Sequence, residues 1–263
     1  MMRWHRIKAL LIRHLYLYKR SFPRIMDILF WPIMTLLLWG FLSVYLEETN
    51  LTGLNIVTIL LGAVILWEFL SESQHSITVG FLEEVWEKNF LNIFVTPLSL
   101  SEFIASTALL GVIRVILVGI VMFVVASLAY SFNLFALGIY LIPSIANLLL
   151  FGWVLGLLIT AIILRFGTSA QVLAFGVMFL VQPFTAVFYP VSILPKFVQY
   201  ISYALPSTYV FEGMRTTINQ GALPVNYILI GLALNVFYFI LAVIFFYKMF
   251  AIVKNKGKLM KLD

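Results

Sequence analysis

The sequence predicts an all-α membrane protein with six transmembrane helices, formed by a single membrane domain over residues 1–263. Hydrophobic residues make up 63% of the chain and charged residues only 11%, whereas an ordinary soluble domain carries about 25% charged residues. The mean hydropathy is +1.06. The apolar residues form long runs, and no polar stretch between them is long enough for a separate globular core.

Six apolar runs are long enough to cross a bilayer, which takes about 20 helical residues. The first run follows a basic N-terminal segment, and the last one precedes a basic tail. Short polar turns or single charged residues separate most neighbouring runs. The predicted spans cover residues 28–46, 51–70, 103–130, 132–164, 166–195 and 223–247.

Residues 1–27 are predicted to form an amphipathic helix on the membrane surface. Arg6, Arg13 and Arg20 are spaced seven residues apart, which places them on one face of a helix. A helix with one basic and one apolar face is typical of the membrane interface. The alternative is a basic flank that only sets the orientation of the first span. The predicted apolar face consists of Trp4, Ile7, Leu11, Leu15 and Tyr18.

The distribution of positive charge predicts that both termini are cytoplasmic. Of the 17 Lys and Arg residues, seven lie in residues 1–27 and five follow the last span. With six spans, Lys88 and Arg165 fall in loops on the same side, whereas only Lys196 and Arg215 fall on the other. Because cytoplasmic loops carry the excess of Lys and Arg, the sequence predicts a multi-pass protein with both termini in the cytoplasm. We expect its location to be the inner (plasma) membrane.

Acidic residues are concentrated in the loop between the second and third predicted spans. Over residues 80–95, apolar residues recur at helical spacing and acidic residues occupy much of the remaining surface, so we expect a short amphipathic helix. Thr96-Pro97 ends it, because proline disfavours the helical conformation of the preceding residue. It is either a solvated loop helix or a docking helix for a soluble partner. Its acidic residues include Glu83, Glu84 and Glu87, and its apolar residues include Trp86 and Phe90.

On the opposite side, residues 188–222 are apolar and aromatic but are interrupted by prolines. They are too broken to span a membrane and too apolar for a free loop. Two short helices that re-enter the outer leaflet would satisfy the backbone and keep tyrosines at the interface. The alternative is a pair of capping helices. Glu212 and Arg215 are three residues apart, which is a spacing that allows them to pair.

Arg114 interrupts the third predicted span, eleven residues after its start. At about 1.5 Å per residue this position approaches the middle of the bilayer, where a lone charge costs several kcal/mol. Glu68, near the end of the second span, is its expected partner. A functional charge, a structural ion pair and a side chain that reaches to the interface all remain open. Gln171 and Gln182, in the fifth span, are expected to face the bundle interior.

The sequence contains no pattern for catalysis or metal binding. Its three His residues are isolated, and it has no Cys and no H-E-x-x-H pattern. The phosphate-binding pattern G-x-x-x-x-G-K-[ST] is also absent, so nucleotide-driven work requires another subunit. The net charge of +6 lies beside apolar spans, which favours anionic lipid head groups over nucleic acid as its partner.

Three features together resemble a known family over nearly the whole chain. The first is the six-span layout behind an amphipathic N-terminal helix, and the second is the acidic loop that ends in Thr96-Pro97-Leu98-Ser99 before Glu102. The third and most specific is a distal pattern of Pro190, Leu194-Pro195, Pro206, Tyr209, Glu212 and Arg215. The chain thereby resembles the permease subunit of the type-2 ABC exporter family. Members often have Gly-Thr where this chain has Lys88-Asn89.

The resemblance implies a transport subunit rather than an enzyme. In that family the helix between spans two and three contacts the ATPase, and the proline-rich segment is re-entrant. The expected ATPase-coupling residues are Glu83, Glu84, Trp86, Glu87 and Phe90. The expected translocation path and gate comprise Gln171, Gln182, Tyr189, Pro190 and Pro195.

The implied partners are two cytoplasmic ATPase subunits, a second copy of this chain and membrane lipid. ATP and Mg would bind to the ATPase, and this chain would carry no cofactor. The Thr-Pro-Leu-Ser ending is closer to exporters of antibiotics and lipo-oligosaccharides than to the capsule and O-antigen type, which remains an alternative. Two other classes fit less well. A lipid-modifying transferase needs acidic or His clusters, and a secondary transporter normally has midplane charge pairs or inverted repeats.

Overall fold

The computed structural model describes residues 2–49 and 56–255, and these residues form helices and turns with no strand among them. This confirms the predicted all-helical class. The α-helices are α1 (Trp4–Arg20), α2 (Phe22–Thr49), α3 (Ile56–Trp86), α4 (Phe90–Val95), α5 (Leu100–Tyr130), α6 (Leu141–Phe166), α7 (Val172–Val181), α8 (Lys196–Tyr203), α9 (Pro206–Gln220) and α10 (Val225–Asn255).

Five helices of the described chain are long and apolar enough to cross a membrane, namely α2, α3, α5, α6 and α10. The predicted fifth span, residues 166–195, is not a single long helix. Its apolar helical part is shorter and covers Val172–Phe184. Pro183 accounts for the end of α7 at Val181, because proline interferes with the helical conformation of the residues before it. The predicted count of six full-length spans is therefore not confirmed.

Helix α3 lies at the centre of the bundle. In its most apolar window 72% of the residues are buried, compared with 22% in α2 and 17% in α10. It packs against α2, α5 and α6, while α10 packs against α6 and α9. The outer helices α2 and α10 consequently present most of their apolar surface to the surroundings.

Small residues set the antiparallel register of α3 and α5. Gly80 lies against Thr107, and Gly111 lies so close to Ser76 that a Cβ on this glycine would be 2.3 Å from the Ser76 hydroxyl oxygen. Close approach through small residues is typical of packed membrane helices. The two contacts place position 114 of α5 beside position 73 of α3.

Different helices form the two ends of the bundle. The basal end contains α1, the last turns of α3, α4 and the start of α5, and the backbone N–H of Arg3 donates to Glu102 there at 2.7 Å. The distal end contains the 3-10 helix Leu134–Tyr140, α8, α9 and the start of α10. At this end the Tyr140 hydroxyl donates to the Val210 carbonyl at 2.7 Å.

Helix α1 forms within the predicted amphipathic segment and packs against α5 and α2. Its buried side chains are Ile7, Leu10 and His14, whereas Trp4 and Leu15 are exposed. The buried face is therefore rotated from the predicted apolar face. On this rotated face His14 is buried next to Arg13, which pairs with Glu84 at the end of α3.

Candidate functional sites at the basal and distal ends

The acidic segment between the second and third spans is divided between two helices, whereas one helix was predicted. Helix α3 continues without a break from Ile56 to Trp86, so residues 80–86 are its last turns. The predicted single helix over residues 80–95 is instead the end of α3, a turn, and the short helix α4. The stop at Thr96-Pro97 is confirmed, since α4 ends at Val95.

The turn after α3 has the hydrogen bonds of a Schellman motif. The Lys88 N–H donates to the Val85 carbonyl and the Asn89 N–H to the Glu84 carbonyl, both at 2.9 Å. Lys88 has φ of +52°, which is the left-handed conformation that this motif requires and that glycine usually supplies. The Lys88-Asn89 pair thus forms a Schellman turn without glycine.

Glu84 is the central acidic residue of the basal end, and its side chain is only 1% exposed. Both terminal nitrogens of Arg13 donate to its carboxylate, with Nη2 3.1 Å from Oε2. Asn89 donates to the same oxygen at 2.7 Å, and His14 Nε2 lies 3.7 Å from Oε1. Burial lowers the pKa of His14, so Arg13 provides the compensating charge near pH 7. Glu84 thereby holds α1 against the end of α3.

The other two carboxylates of the segment pair mainly with Arg24 at the start of α2. Arg24 Nε lies 3.4 Å from Glu83, and Arg24 Nη2 donates to Glu87. Arg13 Nη2 is a second cation near Glu87, at 3.9 Å. Exposed pairs of this kind contribute little each, but together with Glu84 they connect α1, α2 and α3.

Trp86 is the large apolar side chain that this arrangement leaves accessible. It is 50% exposed, and its indole Nε1 donates to Gln171 Oε1 at 3.3 Å. Val95, at the end of α4, is also exposed. The Phe90 side chain lies outside the part of the chain that the structure describes. Trp86, Glu87, Asn92 and Val95 are each exposed, and we call this set of residues the outer face of the acidic segment.

The bond to Trp86 places Gln171 at the basal end, where it precedes α7. Its expected place on the translocation path stays a prediction. Gln182 follows α7 at its other end and is half-buried. The two glutamines are therefore not neighbours.

Glu102 connects α1 to the start of α5. It forms a capping box with Ser99, in which each side chain accepts a hydrogen bond from the backbone N–H of the other residue. It also accepts from the Arg3 N–H at 2.7 Å, and Arg6 donates to the Pro97 carbonyl nearby. The Ser99 to Glu102 spacing in the sequence is the signature of this motif, but its second partner on α1 could not be foreseen.

Arg114 forms a buried ion pair with Glu72. Its Nε and Nη2 both lie 2.7 Å from Glu72 Oε2, and each side chain is 6% exposed. The Arg114 guanidinium also lies 5.9 Å from the centre of the Tyr18 ring of α1, which is within the range of a cation–π contact. The predicted pairing with Glu68 is therefore wrong.

The register of α3 and α5 explains the change of partner. Position 114 lies beside position 73, one residue from Glu72, whereas Glu68 is buried about one helical turn away. The prediction placed the end of the second span near residue 70 and therefore assigned Glu72 to the loop. Because α3 continues to Trp86, Glu72 is part of the packed helix.

At the distal end, Arg215 of α9 fixes the turn that follows the 3-10 helix Gln182–Phe184. It donates to the carbonyls of Ala186 at 2.7 Å and Val187 at 3.1 Å. It also pairs with Glu212 at 3.1 Å, which confirms the expected pairing. Glu212 in turn accepts from the Val191 N–H at 2.7 Å.

The predicted gate residues lie on or near this turn. Tyr189 donates from its hydroxyl to the Pro183 carbonyl at 2.6 Å. Pro190 precedes the 3-10 helix Val191–Ile193, and Pro195 precedes α8. The three residues are thus close in the chain to the segment that Arg215 and Glu212 hold in place.

Taken together, several membrane-spanning helices and a polar basal end define a multi-pass membrane protein. The family model of the ABC-2 type transporter matches residues 5–219, and the chain belongs to this family. Its permeases are transport subunits that work with an ATPase subunit and commonly dimerise. The match covers α1 to nearly all of α9 and confirms the resemblance found in the sequence. A comparison with curated proteins gave no significant match.

We predict that Arg114→Gln and Glu72→Gln are each strongly destabilising, because removing one partner of a buried pair leaves an uncompensated charge and costs about 3–5 kcal/mol. The double variant should lose much less than the sum of the two single losses. The measurement is a double-mutant cycle on the thermal unfolding midpoint of the purified protein. Glu68→Gln combined with Arg114→Gln is the matched control and should give a much smaller coupling. Additive losses for Glu72 and Arg114 would contradict the ion pair.

Proposed function

We propose that this chain is the membrane subunit of an ATP-binding cassette exporter. Two copies assemble as a homodimer in the inner membrane and bind two cytoplasmic ATPase subunits. ATP and Mg bind to the ATPase, and this chain supplies no cofactor. The transported substrate is amphipathic or lipid-linked, such as an antibiotic-like molecule, a lipid or a lipo-oligosaccharide. The Thr-Pro-Leu-Ser resemblance supports this substrate class.

The observation that carries the proposal is the set of ion pairs that joins α1, α2 and α3 at the basal end. The outer face of the acidic segment is backed by α1, α2 and α3 through the ion pairs of Glu84 and Arg24. A contact on Trp86 therefore acts on the central helix of the bundle directly. Exposed aromatic side chains on a rigid support are the usual anchors of protein interfaces.

The roles of the predicted coupling residues are divided accordingly. Trp86 acts as the anchor for the ATPase, and Glu87, which is 38% exposed, is available at the rim. Glu84 is buried and Glu83 is largely covered, so they support the segment from inside. Phe90 remains a proposed anchor on the basis of the family resemblance.

We also propose that the chain crosses the membrane six times. Gln171 contacts Trp86 at the basal end, whereas Val191 contacts Glu212 of the distal helix α9. The intervening residues therefore run from one end of the bundle to the other, although their apolar helix, Val172–Phe184, is only about 20 Å long. An even number of crossings puts both termini on the same side, and the positive charge of α1 supports a cytoplasmic location for them.

At the distal end we propose that residues 188–222 re-enter the outer leaflet and form the exit gate. Phe197 and Tyr200 of α8 are 70% and 79% exposed. Large aromatic side chains on an outer surface are typical of the membrane interface. Tyr189, Pro190 and Pro195 belong to this gate, and Gln182 lies on the path that leads to it.

The proposed function predicts that Trp86→Ala abolishes substrate-stimulated ATP hydrolysis in the complex of the permease with its ATPase, because the anchor of the contact is lost. The loss should be at least about tenfold, since central anchors at interfaces carry about 2 kcal/mol or more. The measurement is ATPase activity of the purified complex in proteoliposomes.

Two controls separate coupling from folding. Trp31→Ala removes another exposed tryptophan, on α2, and should leave the stimulation intact. Gln171→Ala removes the hydrogen-bond partner of Trp86 but keeps its ring, and it should also remain coupled. Full stimulation in Trp86→Ala, with normal insertion of the permease, would exclude this residue as the anchor.

Labelling of introduced cysteines tests the topology, and the native chain has none that interfere. We expect Phe197→Cys and Tyr200→Cys to react poorly with a membrane-impermeant thiol reagent, although both positions are exposed on the protein surface, because lipid covers them. Asn219→Cys should react readily from outside, and Lys88→Cys only after permeabilisation. Strong reaction of positions 197 and 200 in intact cells would show a solvated loop.

A further inference from the structure

A narrow cleft of about 260 Å³ lies between α1, α2 and α5. Most of its lining is aliphatic, with Leu15 from α1, Ile28 and Leu29 from α2, and Ile113 and Leu117 from α5. Sites for drug-sized ligands have volumes of about 300–1,000 Å³. The smaller volume and aliphatic lining suit a single hydrocarbon chain better than a ring system.

Three polar side chains also line the cleft, namely Tyr18, Lys19 and Arg114. The Tyr18 hydroxyl is buried and has no hydrogen-bond partner among the described residues. Burial raises the pKa of Tyr18, so this hydroxyl keeps its proton and can donate. A buried hydroxyl without a partner is costly, and a ligand oxygen in the cleft would satisfy it.

The charges along the cleft favour an anionic ligand. The charge of Arg114 is compensated by Glu72. Lys19 is exposed and forms no ion pair with any residue that the structure describes. An uncompensated ammonium group therefore lies beside an apolar slot. The complementary molecule has a negative head group and a hydrocarbon chain.

We propose that this cleft binds one acyl chain of an anionic phospholipid, with the lipid phosphate at Lys19 and the Tyr18 hydroxyl. The position favours a phospholipid, because α1 is an amphipathic basic helix at the end of the membrane-spanning helices α2 and α5. Basic segments of this kind attract anionic lipids from the adjacent leaflet. The bound chain fills the space between α1 and the two spans and stabilises their packing. This inference does not depend on the exported substrate or on the ATPase.

The test uses the purified full-length protein in detergent after removal of bound lipid. Phosphatidylglycerol should raise the thermal unfolding midpoint at lower concentration than phosphatidylcholine does, whereas glycerol phosphate, a head group without a chain, should have no effect. Lys19→Glu should raise the half-saturating concentration of phosphatidylglycerol about tenfold or more, because it reverses the charge that holds the phosphate. Lys8→Glu makes the same change on an exposed part of α1 outside the cleft and should behave like the wild type.

A second pair of variants tests the chain itself. Ile113→Trp fills the cleft and should weaken the response to both phospholipids, whereas Ile120→Trp, on an exposed part of α5 outside the cleft, should not. If Ile113→Trp does not fold, Leu117→Trp serves the same purpose at a more exposed position. Equal responses of Lys19→Glu and Lys8→Glu, a shift with glycerol phosphate alone, or no preference for phosphatidylglycerol in the wild type would overturn the proposal.

Discussion

The basal end of the structure depends on the ion pair between Arg13 and Glu84. Glu84 is almost completely buried, and a buried carboxylate is stable only when it is paired and hydrogen-bonded. Arg13 supplies the compensating positive charge, and the Asn89 side chain donates a hydrogen bond to the same carboxylate from the turn that follows α3. One acidic side chain thus joins the amphipathic helix α1, the end of α3 and the Schellman turn. This carboxylate therefore contributes directly to the orientation of α1 over the end of α3.

The central helix α3 extends from the Arg13–Glu84 ion pair into the interior of the bundle. It has no break between Ile56 and Trp86, and it carries the Glu72 carboxylate that pairs with Arg114 of α5. Ion pairs therefore hold the same helix at two places, inside the bundle through Glu72 and at its basal end through Glu84 and its neighbours. Tyr18 connects them, since it lies on α1 and its ring is close to the Arg114 guanidinium. Trp86 therefore belongs to a continuous helix that contacts α2, α5 and α6.

Composition was sufficient to predict the all-helical membrane class, residue spacing predicted the helix in the basic N-terminal segment, and Pro97 predicted the stop at Thr96-Pro97. The distal pairing of Glu212 with Arg215 also followed from spacing alone. These features are local, or they depend on the whole chain being apolar. The ATPase-coupling and gate roles remain predictions.

The errors concern how helices are aligned with one another. Charge positions indicated a depth for Arg114 but not the register of α5 on α3, which close contacts such as that of Gly111 with Ser76 determine. Similarly, the pattern of Glu83, Glu84 and Glu87 resembled a free acidic face. Their arginine partners are 59 or more positions earlier in the chain, so local sequence could not reveal that these carboxylates are already in ion pairs.

The most direct test of this account is a charge exchange between Arg13 and Glu84. The thermal unfolding midpoint of the purified protein is measured for Arg13→Glu, Glu84→Arg and the double variant. Each single reversal should lower the midpoint by about 4 °C or more, because it leaves like charges facing each other at a buried site. The exchange should recover at least half of that loss. If the double variant loses the sum of both single effects, the pair does not hold α1 in place and the account is wrong.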